Sequence, residues 1–167
     1  LAKVAFLVHD KFEDSEMKNP YDAIKEAGHE AVIIGLEKNS EIKGKNGTTY
    51  KIDEAVKNVS GKDFDALVLP GGGSPEGLRN NDDVVHFTKE INGENKTIAG
   101  ICHGPQIMIS ADILQGKSST CFPGIRDDVK LAGANYEDKE VVVSSNLITS
   151  RTPDDEPAFI REILNKL

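Results

Sequence analysis

Five apolar runs, each bounded by turn residues and separated from the next by enough chain for a helix, constrain this sequence most. They are Val4–Val8, Ala31–Leu36, Ala66–Leu69, Ile98–Ile101 and Val141–Val143. A strand with one wet face alternates apolar and polar residues; a strand covered on both faces does not. The runs therefore predict a mostly parallel sheet with helices on both faces. Between them, Asp14–Ala27 reads as a helix broken or started near Pro20, and Asp82–Ile91 as a second. Pro105–Leu114 and Pro157–Leu167 follow, each opening on a proline that suits a first helical turn. Asn46-Gly47 between Ile42 and Tyr50 predicts a tight hairpin leaving the main sheet. One doubly wound α/β domain over residues 1–167 accounts for the pattern, at a length that buries roughly 70% of the extended chain's surface without staples.

Composition narrows the function. The formal net charge is -8, from 28 acidic and 20 basic residues. That disfavours a nucleic-acid partner, because a phosphate backbone demands clustered Lys and Arg. No run of about eighteen apolar residues predicts a membrane span. Leu1–Val8 is too short for an export signal and is read as a buried first strand, so a cytoplasmic location is expected. The two cysteines, Cys102 and Cys121, form no CxxC pair and are expected to be free. The four histidines lack ligand spacing, so neither a metal nor another cofactor is expected. His29 and His86 read as surface or helix-face residues.

The chemistry concentrates in Ile98-Ala99-Gly100-Ile101-Cys102-His103-Gly104-Pro105-Gln106. A buried strand runs straight into a cysteine flanked by glycine at minus two and plus two, and a helix starts just beyond. This is the spacing of a strained nucleophile turn, where a Cβ on either glycine collides with a neighbouring segment. Free N–H groups at the helix start favour a thiolate and can receive a developing oxyanion. His103 is the obvious proton partner. Cys121 has no such frame and reads as inert packing.

A second glycine cluster, Leu69-Pro70-Gly71-Gly72-Gly73-Ser74-Pro75-Glu76, follows another buried strand. Ligand sites in such sheets lie at the carboxyl ends of the strands, so this loop belongs beside Cys102 and can add an oxyanion-hole N–H. It lacks the Lys-Ser/Thr of a phosphate loop. The first strand ends in His9-Asp10-Lys11-Phe12-Glu13-Asp14. One carboxylate of Glu13 and Asp14 can hydrogen-bond the cysteine sulfur while the other caps the following helix. His9 is placed near the pocket.

Together with Asp65–Gly72, Gly44-Lys45-x-Gly47, Pro123–Asp128 and Thr149–Asp154, these segments resemble the PfpI-type intracellular protease family, in the ThiJ/PfpI group of the class I glutamine-amidotransferase-like superfamily. The resemblance covers essentially the whole chain. It implies a flavodoxin-like sandwich, with Cys102 as nucleophile, Glu13 hydrogen-bonding its sulfur and His103 as partner base. The N–H groups of Gly72 and His103 would form the oxyanion hole. Glu76 from a neighbouring subunit would complete a triad in a homo-oligomer, dimer or hexamer. Arg151 would anchor a substrate carboxylate. Relatives place Tyr or His before Pro123; here Phe122 can donate no proton. Cys121 beside it is a candidate to resolve an oxidised Cys102.

The first functional expectation is a cysteine-dependent hydrolase of peptides or small amides. The alternatives are a cofactor-independent glyoxalase or deglycase acting on methylglyoxal or its adducts, and a redox-sensing or chaperone-like stress protein using Cys102.

Overall fold

The computed structural model describes residues 1–167. The strands are β1 (Lys3–Leu7), β2 (Glu30–Gly35), β3 (Glu41–Lys43), β4 (Thr49–Lys51), β5 (Glu54–Ala55), β6 (Ala66–Leu69), β7 (Thr97–Ile101), β8 (Ser118–Ser119), β9 (Asn135–Tyr136), β10 (Val142–Ser144) and β11 (Leu147–Ser150). The helices are α1 (Asp14–Glu26), α2 (Ser74–Leu78), α3 (Asp82–Gly93), α4 (Pro105–Ser110), α5 (Arg126–Leu131) and α6 (Glu156–Lys166). Seven strands form one sheet in the order β10-β11-β7-β6-β1-β2-β5. All neighbours are parallel except the edge pair β10–β11.

The missing alternation now has its cause. Phe6 and Leu7 are both wholly buried yet belong to different cores. Leu7 joins Leu67, Phe87, Ile91, Ile107 and Met108 on the face of α3 and α4. Phe6 joins Met17, Ile24, Phe159 and Ile163 on the face of α1 and α6. Each such side chain contributes about 1.5–3 kcal/mol by leaving water, so successive residues of β1 hold opposite helical layers onto one sheet. The result is the expected three-layer, mostly parallel α/β sandwich.

The hairpin forms as expected, with Ile42 opposite Tyr50 and Gly47 at φ +97°. Three elements differ from expectation. Pro20 lies inside α1, which runs on through it, because the helix buries Met17, Pro20 and Ile24 against the sheet. The helix expected to reach Leu114 ends at Ser110; Asp112 turns the chain at φ +55°, and Ile113 and Leu114 enter the core from the turn. Leu147–Ser150 is a buried strand beside β7 that its two apolar residues did not announce, while Val142–Ser144 is only the antiparallel edge.

This topology brings four loops to one end. The Cys102 amide donates to Ser150 O at 3.0 Å, Phe122 N–H donates to Cys102 O at 2.9 Å, and Glu13 N–H donates to Gly71 O at 3.2 Å. The segments after β1, β6, β7 and β11 are thus stitched together at the carboxyl ends of the strands, the position where open α/β sheets carry their sites. No helix is long and apolar enough to cross a membrane.

Candidate active site

Cys102 sits at φ +63°, a left-handed conformation that costs a non-glycine residue on the order of 1–3 kcal/mol. The surrounding backbone holds it there through the two hydrogen bonds just described. Gly104 is sterically required, and Gly100 fits closely under Met108. A Cβ on Gly104 would lie 2.4 Å from Leu69 O and 2.8 Å from Ile101 N, and one on Gly100 would lie 2.9 Å from Met108 Cε. The turn leaves Cys102 8% exposed, at a cavity of about 240 Å3 lined by Glu13, Glu16, Lys45, Gly72, Cys102, His103, Phe122, Thr152 and Pro153.

Burial pushes the Cys102 thiol up to about 12, and a charged Glu16 pushes the same way. The backbone N–H groups of His103 and Gly72 oppose this, as does the charge of Lys45. The expected low thiol pKa is therefore not found in the resting site: desolvation outweighs the N–H groups. Gly72 and His103, whose N–H groups are the expected oxyanion-hole donors, both line the cavity at the thiol. His103 Nδ1 lies 3.3 Å from Sγ, and its ring stacks on Phe122 at a centroid distance of 4.7 Å. Burial and the nearby Lys45 charge hold His103 below the ordinary histidine range, with Glu76 pulling weakly the other way.

The acid beside the thiol is Glu16, not Glu13. Glu13 stands at the N-terminal boundary of α1 with its carboxylate 3.3 Å from Lys45 Nζ, and it makes no hydrogen bond to the sulfur. Glu16, one turn into the helix, is wholly buried and accepts the Gly71 N–H at 2.9 Å. A Cβ on Gly71 would lie 2.5 Å from Glu16 Oε1 and 2.9 Å from Cys102 Cβ, so glycine is what lets acid and thiol approach. Burial, with weaker repulsion from Glu13 and Glu156, pushes Glu16 up to about 8. Its second oxygen has no partner in the protein. Sequence reasoning missed it, although Glu16, Pro20 and Ile24 share a four-residue spacing that marks a carboxyl on a buried stripe.

Comparison with known proteins agrees with this frame. The family model of the DJ-1/PfpI family matches residues 2–166. The putative cysteine protease YraA of Bacillus subtilis is 51% identical over 99% of this chain and 98% of its own length. Protein/nucleic acid deglycase 2 of Escherichia coli is 47% identical over 99% and 97%. A crystal structure of a two-domain protein from Anabaena variabilis, with DJ-1/ThiJ/PfpI-like and ferritin-like domains, superposes with a TM-score of 0.97 at 40% identity. It covers 99% of this chain, which spans 48% of that one.

The chain belongs to the DJ-1/PfpI family.

Further relatives of this DJ-1/PfpI chain named deglycases match at 46–47% identity. Membership supports catalytic-type activity.

Two expected site residues, Arg151 and His9, stand away from the DJ-1/PfpI cysteine. Arg151 has no free donor fork: Nε and Nη2 donate to both oxygens of Asp155 at 2.9 and 3.0 Å, and Nη1 donates to Asp138 at 3.1 Å. It braces the segment before α6 and does not line the cavity, so the carboxylate-anchor expectation is corrected. His9 packs against Gly77, where a Cβ would lie 2.5 Å from its Cδ2, and lines neighbouring hollows instead. Glu76 is exposed in the hollow with His9 and Lys11. Cys121 is wholly buried in the opposite core and both thiols are free, so no resolving pair is assembled. No cluster of His, Cys, Asp and Glu could hold a metal ion.

Proposed function

We propose that this protein performs cofactor-independent chemistry on small reactive aldehydes, of the glyoxalase or deglycase type, with Cys102 as nucleophile. The observation that carries this reading is the cavity. At about 240 Å3 it falls below the roughly 300–1,000 Å3 typical of drug-sized ligand sites, and it holds one thiol, one buried carboxyl and two convergent N–H groups. A two- or three-carbon aldehyde fits such a space better than an extended peptide. The deglycase names among the relatives support it further.

In this reading His103, held neutral by burial, takes the thiol proton at Nδ1 as Sγ bonds the aldehyde carbon, then returns it to the new alkoxide. The N–H groups of Gly72 and His103 stabilise that oxygen while it is charged. Ionised Glu16 removes the C1 proton of the hemithioacetal and delivers it to C2, while His103 carries the C1 hydroxyl proton to the C2 oxygen, converting the adduct into a thioester. Water hydrolyses the thioester to a 2-hydroxy acid and restores the thiol. The sum is aldehyde plus water, so no external oxidant is consumed. A hemiaminal of the same aldehyde enters by releasing its amine.

The test is turnover by reduced protein and its Cys102→Ala variant, with methylglyoxal and fluorogenic peptide-amides in parallel. Cysteine-dependent lactate without peptide cleavage supports the proposal. Cysteine-dependent peptide cleavage without lactate replaces it with the hydrolase reading. Silence on both, with peroxide oxidising Cys102, replaces it with the stress-sensor reading.

A further inference from the structure

The Gly44–Thr48 loop of the hairpin has a construction that a mere turn does not need. Lys45 N–H donates to Phe12 O at 3.0 Å, tying the loop to the segment that leads into α1. Asp14 then accepts the Asn46 and Thr48 N–H groups, both at 2.9 Å. Gly44 makes this possible, since a Cβ there would lie 2.7 Å from both Asp14 carboxylate oxygens. Three hydrogen bonds therefore fix the backbone of Lys45 at the rim of the Cys102 cavity, and its side chain lines that cavity as the one cation there.

The side chain itself is held lightly. Lys45 Nζ meets Glu13 at 3.3 Å while remaining 53% exposed. An ion pair this wet is worth about 0–1 kcal/mol, so it is easily exchanged for a ligand oxygen. The charge nonetheless reaches inward: it favours the Cys102 thiolate, the neutral form of His103 and the Glu16 carboxylate. A fixed loop thus aims a freely exchangeable ammonium at the place where negative charge must form.

We propose that Lys45 is a catalytic residue that binds the second carbonyl oxygen of a 1,2-dicarbonyl substrate and neutralises it as the enediolate forms. This rests on the aldehyde reading of the site. When Glu16 takes the C1 proton of the hemithioacetal, the C1–H electron pair becomes the C1=C2 bond and the C2 carbonyl pair moves onto its oxygen. Lys45 holds that oxygen; return of the proton to C2, with passage of the C1 hydroxyl proton through His103 to the C2 oxygen, restores the carbonyl at C1 as the thioester and leaves a hydroxyl at C2. Lys45 exchanges Glu13 for the substrate and keeps its own proton throughout. Selection follows from the same contact: an aldehyde without an acceptor on the adjacent carbon leaves the ammonium unused.

The experiment compares wild type, Lys45→Gln and Lys45→Arg in two assays. The first is lactate formation from methylglyoxal. The second is the ratio of Cys102 alkylation rates by anionic iodoacetate and neutral iodoacetamide, which needs no turnover. The expected result is a loss of about tenfold or more in kcat for Lys45→Gln, a fall of several-fold in the alkylation ratio, and rescue of both by Lys45→Arg. Full kcat in Lys45→Gln overturns the role of Lys45 while leaving the aldehyde reading intact. A normal ratio in Lys45→Gln overturns it too. No lactate from wild type overturns the aldehyde reading and the dicarbonyl role together, and the ratio then still reports whether Lys45 charges the thiol's surroundings.

Discussion

Cys102 and Cys121 differ in almost nothing that belongs to the thiol itself. Both are free, both are buried, and burial pushes both up to about 12. The difference lies in the frame. Cys121 is wholly buried in the core that also holds Met108, Ile125 and Val129, where the charges of Asp128 and Arg126 act on it in opposite directions. Cys102 is held at φ +63° by a strand-to-helix turn, lies beside the backbone of Gly72 and His103, and has an imidazole nitrogen at 3.3 Å and a buried carboxyl beside it. Reactivity in this molecule is thus a property of the backbone and its neighbours rather than of a cysteine's burial.

The sharpest way to break the comparison is to exchange the two sites' losses. Cys102→Ala should lower lactate formation by at least about a thousandfold with the fold intact by circular dichroism, whereas Cys121→Ala should keep near-wild-type kcat. Equal losses in both variants would show that the frame is irrelevant.

The next largest effect tests the frame directly. Gly104→Ala places a Cβ against the backbone of Leu69 and Ile101. It should cost on the order of 3 kcal/mol in urea unfolding and remove activity together with stability. An alanine accommodated without change would mean that the turn is not close-packed.

Glu16 supplies a third test, through pH. Its carboxyl keeps a proton in the folded state up to about 8 and loses it near 4.5 when unfolded. The folded state therefore binds more protons between those values, and stability falls as pH rises from about 4.5 to about 8, by at most about 5 kcal/mol. Glu16→Gln removes that dependence, so its urea midpoint should overtake that of wild type as pH climbs through this window. Parallel curves for the two proteins would place the acid elsewhere. Wild-type kcat should rise over the same window, because only the ionised carboxyl takes the C1 proton, and Glu16→Gln should be inactive throughout.

The smallest effect belongs to Cys121. Cys121→Ala should cost about 1 kcal/mol, as expected for a modest cavity in a core. Iodoacetamide should label Cys102 in native protein while Cys121 reacts only after unfolding.

These two cysteines also show what sequence can carry. The frame of Cys102 is local: Gly100, Gly104 and Pro105 stand within a few residues of it, and the run Ile98–Ile101 says that a two-sided strand feeds the turn. The place of the second glycine loop was legible as well, because glycines after β6 fall at the same end of the sheet as the residues after β7, and Gly72 lines the cavity with Cys102. The acid was not, because choosing between Glu13 and Glu16 requires the rotation of α1 against the sheet, and the motif Phe12-Glu13-Asp14 drew attention to the wrong turn. Arg151 failed for a related reason. Its fork is filled by Asp155 and Asp138, partners that only the fold brings within 3.1 Å. Leu147–Ser150 was hidden because two of its four residues are polar, even though Thr149 Oγ1 satisfies the Thr120 amide inside the core.

The most direct measurement is peptide-mapped mass spectrometry of the reduced protein, acid-quenched during turnover of methylglyoxal. The account predicts a lactoyl thioester on Cys102, none on Cys121, and its disappearance from Cys102→Ala together with lactate formation. Lactate produced by Cys102→Ala at the wild-type rate, or an acyl group carried equally by Cys121, would contradict it.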